Sequence, residues 1–258
     1  MKVVTWNINS VRARHDRLLN WLDRNAPDVL CLQELKVPDE EFPLEVEEEL
    51  DYYVAAFGQK TYNGVAIVSK TPITDVVRGM DDGVDDPQSR LIAGTVRGVR
   101  VVCVYVPNGG EMGSDKWTYK LAWYGRLRRW LETHCDPSQP LVLCGDFNVT
   151  PDDRDVDRVD EWKDTVLCNA EARAALQSVV DWGLIDTFRL KNDQPGFYSW
   201  WDYRQLGFAK NNGMRIDMVY ATKPLADRVA EVFIDRDERK GQRPSDHAPA
   251  GVIFSPPA

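Results

Sequence analysis

The sequence lacks the features that mark membrane, secreted or disulfide-rich proteins. No apolar run among its 258 residues approaches the ~20 residues that a membrane-spanning helix needs. The opening segment, MKVVTWNINS, is too short and too strand-like for a signal peptide. The five cysteines are an odd number without paired spacing, which indicates neither a disulfide framework nor a zinc site. We therefore expect a cytoplasmic protein with no membrane partner.

Internal repeats, low-complexity segments and Gly/Ser-rich linkers are also absent from the sequence. Because 43% of the residues are hydrophobic, the chain can bury a substantial core. We expect one catalytic domain over residues 1–258, although the length alone also allows two smaller domains.

A net positive charge is missing as well. The formal net charge of -9 argues against a protein that coats nucleic acid without specificity, but it does not exclude a nuclease. We interpret the acidic runs at residues 45–51, 80–86 and 151–161 as solvated surface loops. Basic residues are concentrated elsewhere, at Arg12, Arg14, Arg126, Arg128, Arg129, Arg204, Lys210 and Arg215.

What the sequence does contain is a series of apolar runs flanked by polar side chains. The segments are VVTWNIN, VLCLQE, VVCVYVPN, LVLCGDFN, MRIDMVY and PSDHAP, the last preceding an apolar run. Each run is typical of a buried strand, and each flank offers groups that bind metal, move protons or hold phosphate. Because strand ends bring such groups together in α/β proteins, the sequence predicts an enzyme. Metal-dependent hydrolysis of a phosphate ester is the chemistry that fits these side chains.

Periodicity predicts how helices and strands follow one another. Helices are expected over residues 15–25, 115–134 and 169–183, the second with Asp115, or Ser114 as the runner-up, as its N-cap. A hairpin is expected at Arg97-Gly98. The late runs FYSWW, MRIDMVYA, AEVFID and APAGVIF are expected to be extended. Adjacent strands favour mixed or antiparallel sheets with helices outside, and two sheets packed face to face would bury these runs on both sides.

Three residues at the ends of two runs are candidates for metal and proton chemistry. Glu34 closes VLCLQE and is a candidate Mg²⁺ ligand, because Mg²⁺ prefers oxygen donors; a surface glutamate is the alternative. Asp146 and Asn148 stand two apart in GDFN, so on an extended chain they point the same way. One could handle a proton while the other donates an amide hydrogen bond, and a simple Asx-turn is the alternative.

Asp217 and His247 are expected to act as a pair. Asp217 interrupts the apolar run MRIDMVY, where an unpaired carboxylate would be costly. Its natural partner is His247, whose imidazole titrates near neutral pH and can stabilise charge. A backbone-bonded aspartate and a structural histidine are the alternatives. We interpret His15 and His134 as structural, because they lie within or beside helices and no acidic constellation accompanies them.

Two further segments carry groups suited to phosphate and bases. Tyr105 and Asn108 lead into the turn PNGGEMG, where they could contact phosphate, although packing alone would also explain the tyrosine. Trp200, Trp201 and Tyr203 lie near the last basic cluster, which fits stacking on bases or wedging into a groove. A hydrophobic strand with charged neighbours is the alternative.

Nine segments, in this order and at this spacing, resemble the exonuclease III family of apurinic/apyrimidinic (AP) endonucleases. They are WNINSVRA, PDVLCLQELK, GVAIVSK, VYVPNG, CGDFN, WGLIDTFR, YSWWDYR, GMRIDMVYA and PSDHAP. The match runs from Lys2 to about Phe254. The motifs GDFN and SDH are shared by the wider DNase I-like endonuclease/exonuclease/phosphatase superfamily, whereas WGLIDTFR and SWWDYR are similar to its DNA-repair branch.

The resemblance implies an α/β fold, a four-layered α/β sandwich of two packed mixed β-sheets flanked by helices. It implies a monomeric, Mg²⁺-dependent hydrolase, in which Mn²⁺ can substitute, that cuts DNA on the 5′ side of abasic sites. Its partner would be double-stranded DNA with abasic sites or blocked 3′ ends, and 3′–5′ exonuclease and 3′-phosphodiesterase or phosphatase activities would accompany incision. The alternatives are a non-specific DNase, a phosphoinositide-type phosphatase and a non-catalytic DNA-binding relative.

The resemblance also assigns residues to three groups. The metal region would contain Glu34 as the principal ligand, with Asn9 and Asp246 nearby. The catalytic residues would be Tyr105, Asp146, Asn148, Asp217, His247 and Asn7. The residues that face DNA would be Asn108, Arg90, Trp200, Trp201 and Arg204.

Within the catalytic group, the resemblance implies a division of roles. Asn7 and Asn148 would orient the phosphate or the attacking water. Asp146 would activate the water or assist proton transfer. His247, oriented by Asp217, would hold the scissile phosphate and stabilise its charge.

The sequence departs from the family pattern at a few positions. Leu35 stands where threonine is common after the metal-binding glutamate, a change that affects packing more than chemistry. The turn after Asn108 carries Glu111 and Met112, where some relatives place a basic residue against DNA. No basic tail precedes the first strand, so we expect a bacterial- or archaeal-type protein that acts at the nucleoid.

Overall fold

The structure, a computed structural model, describes residues 1–256. Twelve strands follow one another along the chain: β1 (Lys2–Asn7), β2 (Val29–Gln33), β3 (Tyr53–Phe57), β4 (Val65–Ser69), β5 (Thr74–Arg78), β6 (Leu91–Val96), β7 (Val99–Tyr105), β8 (Leu141–Asp146), β9 (Leu184–Asp186), β10 (Asp217–Thr222), β11 (Val229–Ile234) and β12 (Ala250–Phe254). The helices are α1 (His15–Asn25), α2 (Glu45–Glu48), α3 (Asp115–His134), α4 (Val159–Trp162), α5 (Ala170–Val180), α6 (Gly207–Lys210) and α7 (Lys223–Ala226). Short 3₁₀ turns lie at Asp39–Glu41, Asp153–Asp155 and Arg236–Arg239.

The strands form two six-stranded mixed sheets. The first has the order β11-β12-β1-β2-β4-β3 and the second the order β5-β6-β7-β8-β10-β9. Strands β1 and β2 are parallel, as are β7 and β8, and all other neighbours are antiparallel. The predicted four-layered sandwich of two mixed sheets between helices is therefore confirmed.

The core has three apolar layers. One lies between the sheets and contains residues such as Val29, Val101 and Val252, all fully buried. The outer face of the first sheet packs on α1, where the Trp6 and Trp21 rings lie 5.7 Å apart. The outer face of the second sheet packs on α3 and α5. Because strands such as β2 and β8 are covered on both faces, they are apolar along their whole length, as their sequences predict.

The predicted helices are confirmed, with corrections at two helix ends. Helix α1 buries Leu18, Trp21 and Leu22 on one face, as its spacing predicts. The N-cap of α3 is Ser114 and not Asp115, because the Ser114 hydroxyl accepts a hydrogen bond from the Trp117 amide at 3.2 Å.

Turn chemistry also matches the sequence. Arg97 and Gly98 connect β6 and β7 with φ of 50° and 75°, so both adopt the left-handed conformation of a tight hairpin turn. Helix α5 ends at Val180, slightly earlier than predicted, and Gly183 follows with φ of 130°.

Some elements differ from expectation. Strands β3, β5 and β9 were not predicted; β5 is a half-exposed edge strand and β9 has only three residues, so their apolar patterns are weak. The segment FYSWW is not a strand, since Trp200 makes only isolated bridges with Met214 and His247.

Two acidic runs are not simply solvated loops. In the run 80–86, Asp82 and Asp86 form ion pairs of 2.7 Å and 2.6 Å with the buried Arg126. In the run 151–161, Asp155 is completely buried and pairs with Arg215 at 2.6 Å. These carboxylates tie loops to the core, so the surface-loop interpretation is wrong for them.

The cysteines match expectation. All five are free thiols, and Cys31, Cys103 and Cys144 lie in the apolar layer between the sheets. No helix within residues 1–256 combines the length and apolarity needed to cross a bilayer.

Candidate active site

The topology brings the polar strand ends to one edge of the sandwich. Tyr105 and Asp146 close the parallel strands β7 and β8 and lie opposite each other in register. Strand β10 runs antiparallel to β8, so its first residue, Asp217, also pairs with Asp146. In the facing sheet, Asn7 and Glu34 lie at the ends of the parallel strands β1 and β2. Side chains from both sheets therefore meet at the same edge.

The segment before β12 completes this edge. Because β12 is antiparallel to β1, the residues that precede it arrive beside Asn7. Ser245 fixes the approach by donating to the Asn7 carbonyl at 2.7 Å and accepting from the His247 amide at 3.1 Å. This arrangement delivers Asp246 and His247 to the site.

Asn7 links the two sheets at the centre of the site. Its amide nitrogen donates to Glu34 Oε1 and to Asp146 Oδ2, both at 2.9 Å. The other oxygen of Asp146 accepts from the Asn148 backbone amide at 2.9 Å. The orientation of the buried Asp146 carboxylate is therefore set by two neighbouring strand ends.

His247 lies between two carboxylates. Its Nδ1 donates to Asp217 Oδ2 at 2.8 Å, while its Nε2 lies 3.7 Å from Asp146 Oδ2. Asp217 Oδ2 also accepts from the Ser199 hydroxyl at 2.6 Å. The predicted pairing of Asp217 with His247 is thus present in the structure, and it leaves Nε2 directed at the reactive region.

Burial and neighbouring charges shift the titration of this pair. Burial would by itself lower the pKa of His247, but the carboxylates of Asp217 and Asp146 outweigh it and raise the pKa to about 10. Burial raises the pKa of Asp146 to about 7, although His247 and Asn7 pull it down. At neutral pH the site therefore holds an imidazolium beside a carboxyl group that exchanges its proton readily.

Asn9 and Asp246 form a second polar group beside the first. Asp246 accepts from the Asn9 amide at 2.8 Å and from the Trp200 indole at 3.0 Å. The ammonium of Lys36 contacts Asn9 Oδ1 at 2.6 Å and Glu34 Oε2 at 2.8 Å. Burial raises the pKa of Glu34, but the ammonium outweighs it, so the carboxyl pKa is lowered and the group stays ionised.

Three polar residues of the site have left-handed backbone conformations. Asn9, Glu34 and Asn148 adopt left-handed φ angles of 49°, 54° and 49°, which non-glycine residues adopt rarely. Such conformations persist where surrounding contacts hold them, and they are most frequent at functional sites.

The charge balance and donor chemistry of the site fit a divalent cation. Four carboxylates converge here, those of Glu34, Asp146, Asp217 and Asp246. The cationic partners are Lys36 and, when protonated, His247, so two negative charges remain uncompensated when all four carboxylates are ionised. Ligand atoms of Glu34, Asp146 and His247 lie within 4.8 Å of one another. These oxygen-rich donors suit a hard cation such as Mg²⁺. Asn9 and Asp246 lie outside this group, and their roles as ligands stay a prediction.

Tyr105 and Asn108 flank the carboxylates. Burial, followed by the charges of Glu34 and Asp146, raises the pKa of Tyr105, so its phenol stays protonated. Arg90 stacks on the Tyr105 ring at 4.8 Å and donates to its carbonyl at 3.1 Å. The Asn108 amide donates to Asn148 Oδ1 at 3.0 Å. Arg90 therefore contacts the tyrosine directly, and its contact with DNA stays a prediction.

The two adjacent tryptophans have different environments. Trp201 is completely buried between Phe208 and two arginines, so the prediction that it faces DNA is wrong. Trp200 is partly exposed and lines a cavity of about 280 Å³ together with Trp162. Arg204, with an 88% exposed side chain, lies at the rim of this cavity. Arg215, one of the basic residues near these tryptophans in the sequence, is buried against Asp155.

Three contributors to the site were missed by sequence reasoning. They are Ser199, Lys36 and Lys120. Ser199 stands in the SWW motif and Lys36 follows Glu34 closely, so both lie inside recognised segments. Lys120 lies in an amphipathic helix, where a lysine normally indicates the solvent face.

These features define a phosphoesterase-type site on a four-layered sandwich, and comparison with known proteins gives the family. The chain belongs to the Endonuclease/Exonuclease/phosphatase family, which matches residues 4–247. The predicted resemblance and the prediction of a hydrolytic nuclease are confirmed.

Similar proteins from several organisms match nearly the whole chain. Exodeoxyribonuclease III of Haemophilus influenzae is 38% identical over 266 residues, covering 98% of this chain and 100% of the relative. An AP endonuclease from Archaeoglobus fulgidus has a TM-score of 0.95 at 36% identity, covering 98% and 99% of the two chains. A 3′ phosphatase, NExo from Neisseria, was solved bound to a product DNA hairpin; it has a TM-score of 0.95 at 39% identity and 99% coverage of both chains.

Proposed function

We propose that this protein is a Mg²⁺-dependent phosphodiesterase that incises duplex DNA on the 5′ side of abasic sites and also processes 3′ ends. The observation that carries the proposal is the position of Asp146, hydrogen-bonded to Asn7 and facing His247, at a strand edge that also holds Glu34. The AP endonuclease and 3′ phosphatase among the similar structures support both activities.

The buried pair supplies proton transfer and charge stabilisation. Asp146 accepts a proton from the attacking water, a role that its pKa of about 7 supports at neutral pH. The imidazolium of His247, held by Asp217, donates from Nε2 to a non-bridging oxygen of the scissile phosphate. The developing negative charge is thus met by a preorganised cation in a buried site.

Amide and phenol groups hold the reacting phosphate in place. Asn148 Nδ2 donates one hydrogen bond to the Val106 carbonyl at 2.9 Å, and its second N–H would donate to a phosphate oxygen. The Tyr105 phenol stays protonated and can donate to a phosphate oxygen or to the leaving oxygen. Orientation of this kind removes much of the entropic barrier to in-line attack.

Glu34 is the carboxylate best suited to hold Mg²⁺. It is ionised, and its side chain is 18% exposed at the mouth of the site, whereas Asp146 lies deeper. Mg²⁺ at this position would neutralise negative charge on the phosphate oxygens. The two residues expected beside it, Asn9 and Asp246, would orient water around the ion.

DNA recognition is proposed for the surface beside the metal region. The cavity of about 280 Å³ lined by Trp162 and Trp200 adjoins Asp246 through the Trp200 indole. A baseless sugar turned out of the helix could enter such a cavity, because losing the base lowers the cost of extrusion. Arg204 at the rim would contact a phosphate, and Asn108 the backbone nearby.

The whole chain is proposed to act as one domain. Asn7 and Glu34 come from one sheet while Asp146 and Asp217 come from the other, so neither sheet contains the site alone. A monomeric state and a cytoplasmic location remain predictions from the sequence.

The test is incision of an internally labelled duplex that carries one synthetic abasic site, assayed with Mg²⁺ or with EDTA. An intact duplex serves as the substrate control. Glu34→Gln is the active-site variant, and Glu40→Gln, an exposed position on the same segment, is its matched control. Mg²⁺-dependent cleavage directly 5′ to the site, lost only in Glu34→Gln, supports the proposal.

Other outcomes of this assay would reject parts of the proposed function. Shortening from 3′ ends without internal incision would leave only the 3′-processing activity. An absence of cleavage on either duplex would remove DNA as the substrate.

A further inference from the structure

Lys120 is a buried lysine that the proposed reaction does not use. It lies in the second turn of α3 and has no exposed surface. Its ammonium donates to three backbone carbonyls, those of Asn148 and Val166 at 2.6 Å and that of Asn108 at 3.1 Å. An ammonium group has three N–H donors, so the carbonyls match its full capacity.

The burial of this amine is unfavourable by itself. Within residues 1–256 no carboxylate lies within ion-pairing distance of Lys120. Burial lowers its pKa to about 7, although the charge of Asp146 raises it. A buried cation without an ionic partner is tolerated where its hydrogen bonds hold the surrounding structure together.

The three carbonyls belong to three separate segments around the active site. Asn108 follows β7, Asn148 follows β8, and Val166 lies between α4 and α5. The side chains of Asn108 and Asn148, whose backbone carbonyls the ammonium group contacts, are themselves linked at 3.0 Å. One amine therefore fixes the main chain beneath two amide side chains of the site.

The loop after Asn108 is also shaped around the lysine stem. Gly109 has φ of 97°, and a Cβ at this position would lie 2.9 Å from Lys120 Cδ. A side chain is excluded there because the loop packs directly on the methylene chain. This second contact shows that the loop and the lysine are fitted to each other.

We propose that Lys120 is a positioning residue that holds Asn148 and Asn108 in the orientation needed for phosphodiester cleavage. It acts through the backbone carbonyls of both residues and does not touch the substrate. The kinetic consequence rests on the proposed function, whereas the effect on the two amide side chains does not.

The first test compares Lys120→Met with Lys116→Met in the full-length protein. Lys116 is an exposed lysine one turn earlier in α3 and serves as the matched control. Lys120→Met is expected to lower kcat for abasic-site incision about 10²-fold, the cost of a displaced catalytic group, with KM changed much less. Lys116→Met is expected to keep the wild-type kcat. Equal kcat values for Lys120→Met and wild type would overturn the proposal.

A double-mutant cycle tests whether Lys120 acts through Asn148. If it does, adding Lys120→Met to Asn148→Ala should reduce kcat much less than it does in the wild type. If the reduction of kcat in the double variant equals the product of the reductions in the two single variants, the lysine acts independently of Asn148. This result would reject a positioning role.

A spectroscopic measurement separates this proposal from the proposed function. In the NMR spectra of the ¹⁵N-labelled protein, the side-chain amide signals of Asn148 and Asn108 should shift in Lys120→Met and remain in place in Lys116→Met. A wild-type protein without incision activity would reject the proposed function, while these shifts would still support positioning. Lys120→Gln, which retains amide donors, provides a second variant with smaller expected shifts. Unshifted signals, or loss of folding in both Lys120 variants, would assign the lysine to stability alone.

Discussion

Two clusters of buried charges lie side by side at the start of β10, and they differ in how their charges are balanced. In the first, Arg215 and Arg189 pair with Asp155 and Asp186, two cations against two anions. The carboxylates outweigh desolvation and raise the pKa of Arg215. Asp217, two residues further on, belongs to the second cluster.

The second cluster, at the active site, is left incompletely paired. Asp217 Oδ1 is buried and has no hydrogen-bond partner among residues 1–256, and Asp146 lies 3.7 Å from the imidazole instead of in direct contact. The pKa values of Asp146 and His247 are both raised. The clusters thus differ in charge balance and not in complete hydrogen bonding, since Arg189 Nε of the first cluster also has no partner within residues 1–256. Balanced ion pairs make buried charges part of the scaffold, whereas an excess of carboxylates leaves groups free to exchange protons and bind cations.

The largest effect that separates the clusters is expected for Asp146→Asn. Incision should fall by about 10⁴-fold, the upper end of general acid–base contributions. Stability should not fall. Because the pKa of Asp146 is raised from 3.8 to about 7, its ionisation destabilises the folded protein progressively between these pH values. In EDTA at pH 8 the variant should therefore have a Tm equal to or above that of the wild type, measured by calorimetry. A lower Tm would mean that the carboxylate is part of the scaffold.

Asp155→Asn is expected to reduce stability but not incision, the reverse of Asp146→Asn. Removing one partner of a buried ion pair should lower the free energy of unfolding by about 3–5 kcal/mol, measured by urea denaturation. Incision per folded molecule should change little. Asp153→Asn is the matched control, because Asp153 is an exposed neighbour with an ion pair to Arg173. Similar unfolding energies for both variants would contradict the scaffold role.

Asp217→Asn should have a smaller effect on turnover, about 10²-fold, because the histidine remains in place while its orientation and charge are weakened. Asp217 is the largest factor that raises the pKa of His247, so the variant should titrate well below the wild-type value of about 10. The wild-type imidazolium persists until pH rises through about 10, and activity in the variant should decline at lower pH. NMR titration of the His247 ring and the pH profile of kcat check this directly. An unchanged titration would separate Asp217 from the function of His247.

The smallest effect on function is expected for Arg204, at the exposed rim of the cavity lined by Trp162 and Trp200. Arg204→Ala should leave turnover unchanged and reduce the slope of log Kd against log salt by about one, as expected for one lost phosphate contact. Lys223→Ala removes a similar exposed charge at the far end of β10 and should not change the slope. Equal slopes for both variants would remove Arg204 from the DNA interface.

The parts of the molecule that are predictable from sequence are those marked by a local pattern. Asn7, Glu34, Asp146 and His247 end or adjoin continuous apolar runs, and this local pattern is enough to predict that they meet. Strands such as β3 and β5 escaped prediction because their apolar patterns are short or half exposed.

Contacts between distant residues were not predictable. Asp155 and Arg215 are 60 positions apart; Asp155 stands in a polar segment typical of a surface loop, whereas Arg215 lies at the start of the apolar run MRIDMVY. Lys120 contacts Val166 across 46 positions. Trp200 and Trp201 are adjacent and chemically alike, yet only tertiary packing decides that the second is buried. The candidate catalytic residues can thus be predicted from local sequence patterns. The long-range contacts that position them are determined only by the folded structure.

The bond between Ser245 and Asn7 has a consequence for protein synthesis. It joins residues 238 positions apart, and β1 lies between β2 and β12 in its sheet. At about 5–20 residues per second, a ribosome needs roughly 12–48 s to travel that distance. During this interval the nascent chain has no His247 beside Asn7, so under the roles proposed above a growing polypeptide lacks a complete catalytic site. On that proposal, cleavage of nucleic acid would begin only after translation has delivered the segment that leads into β12.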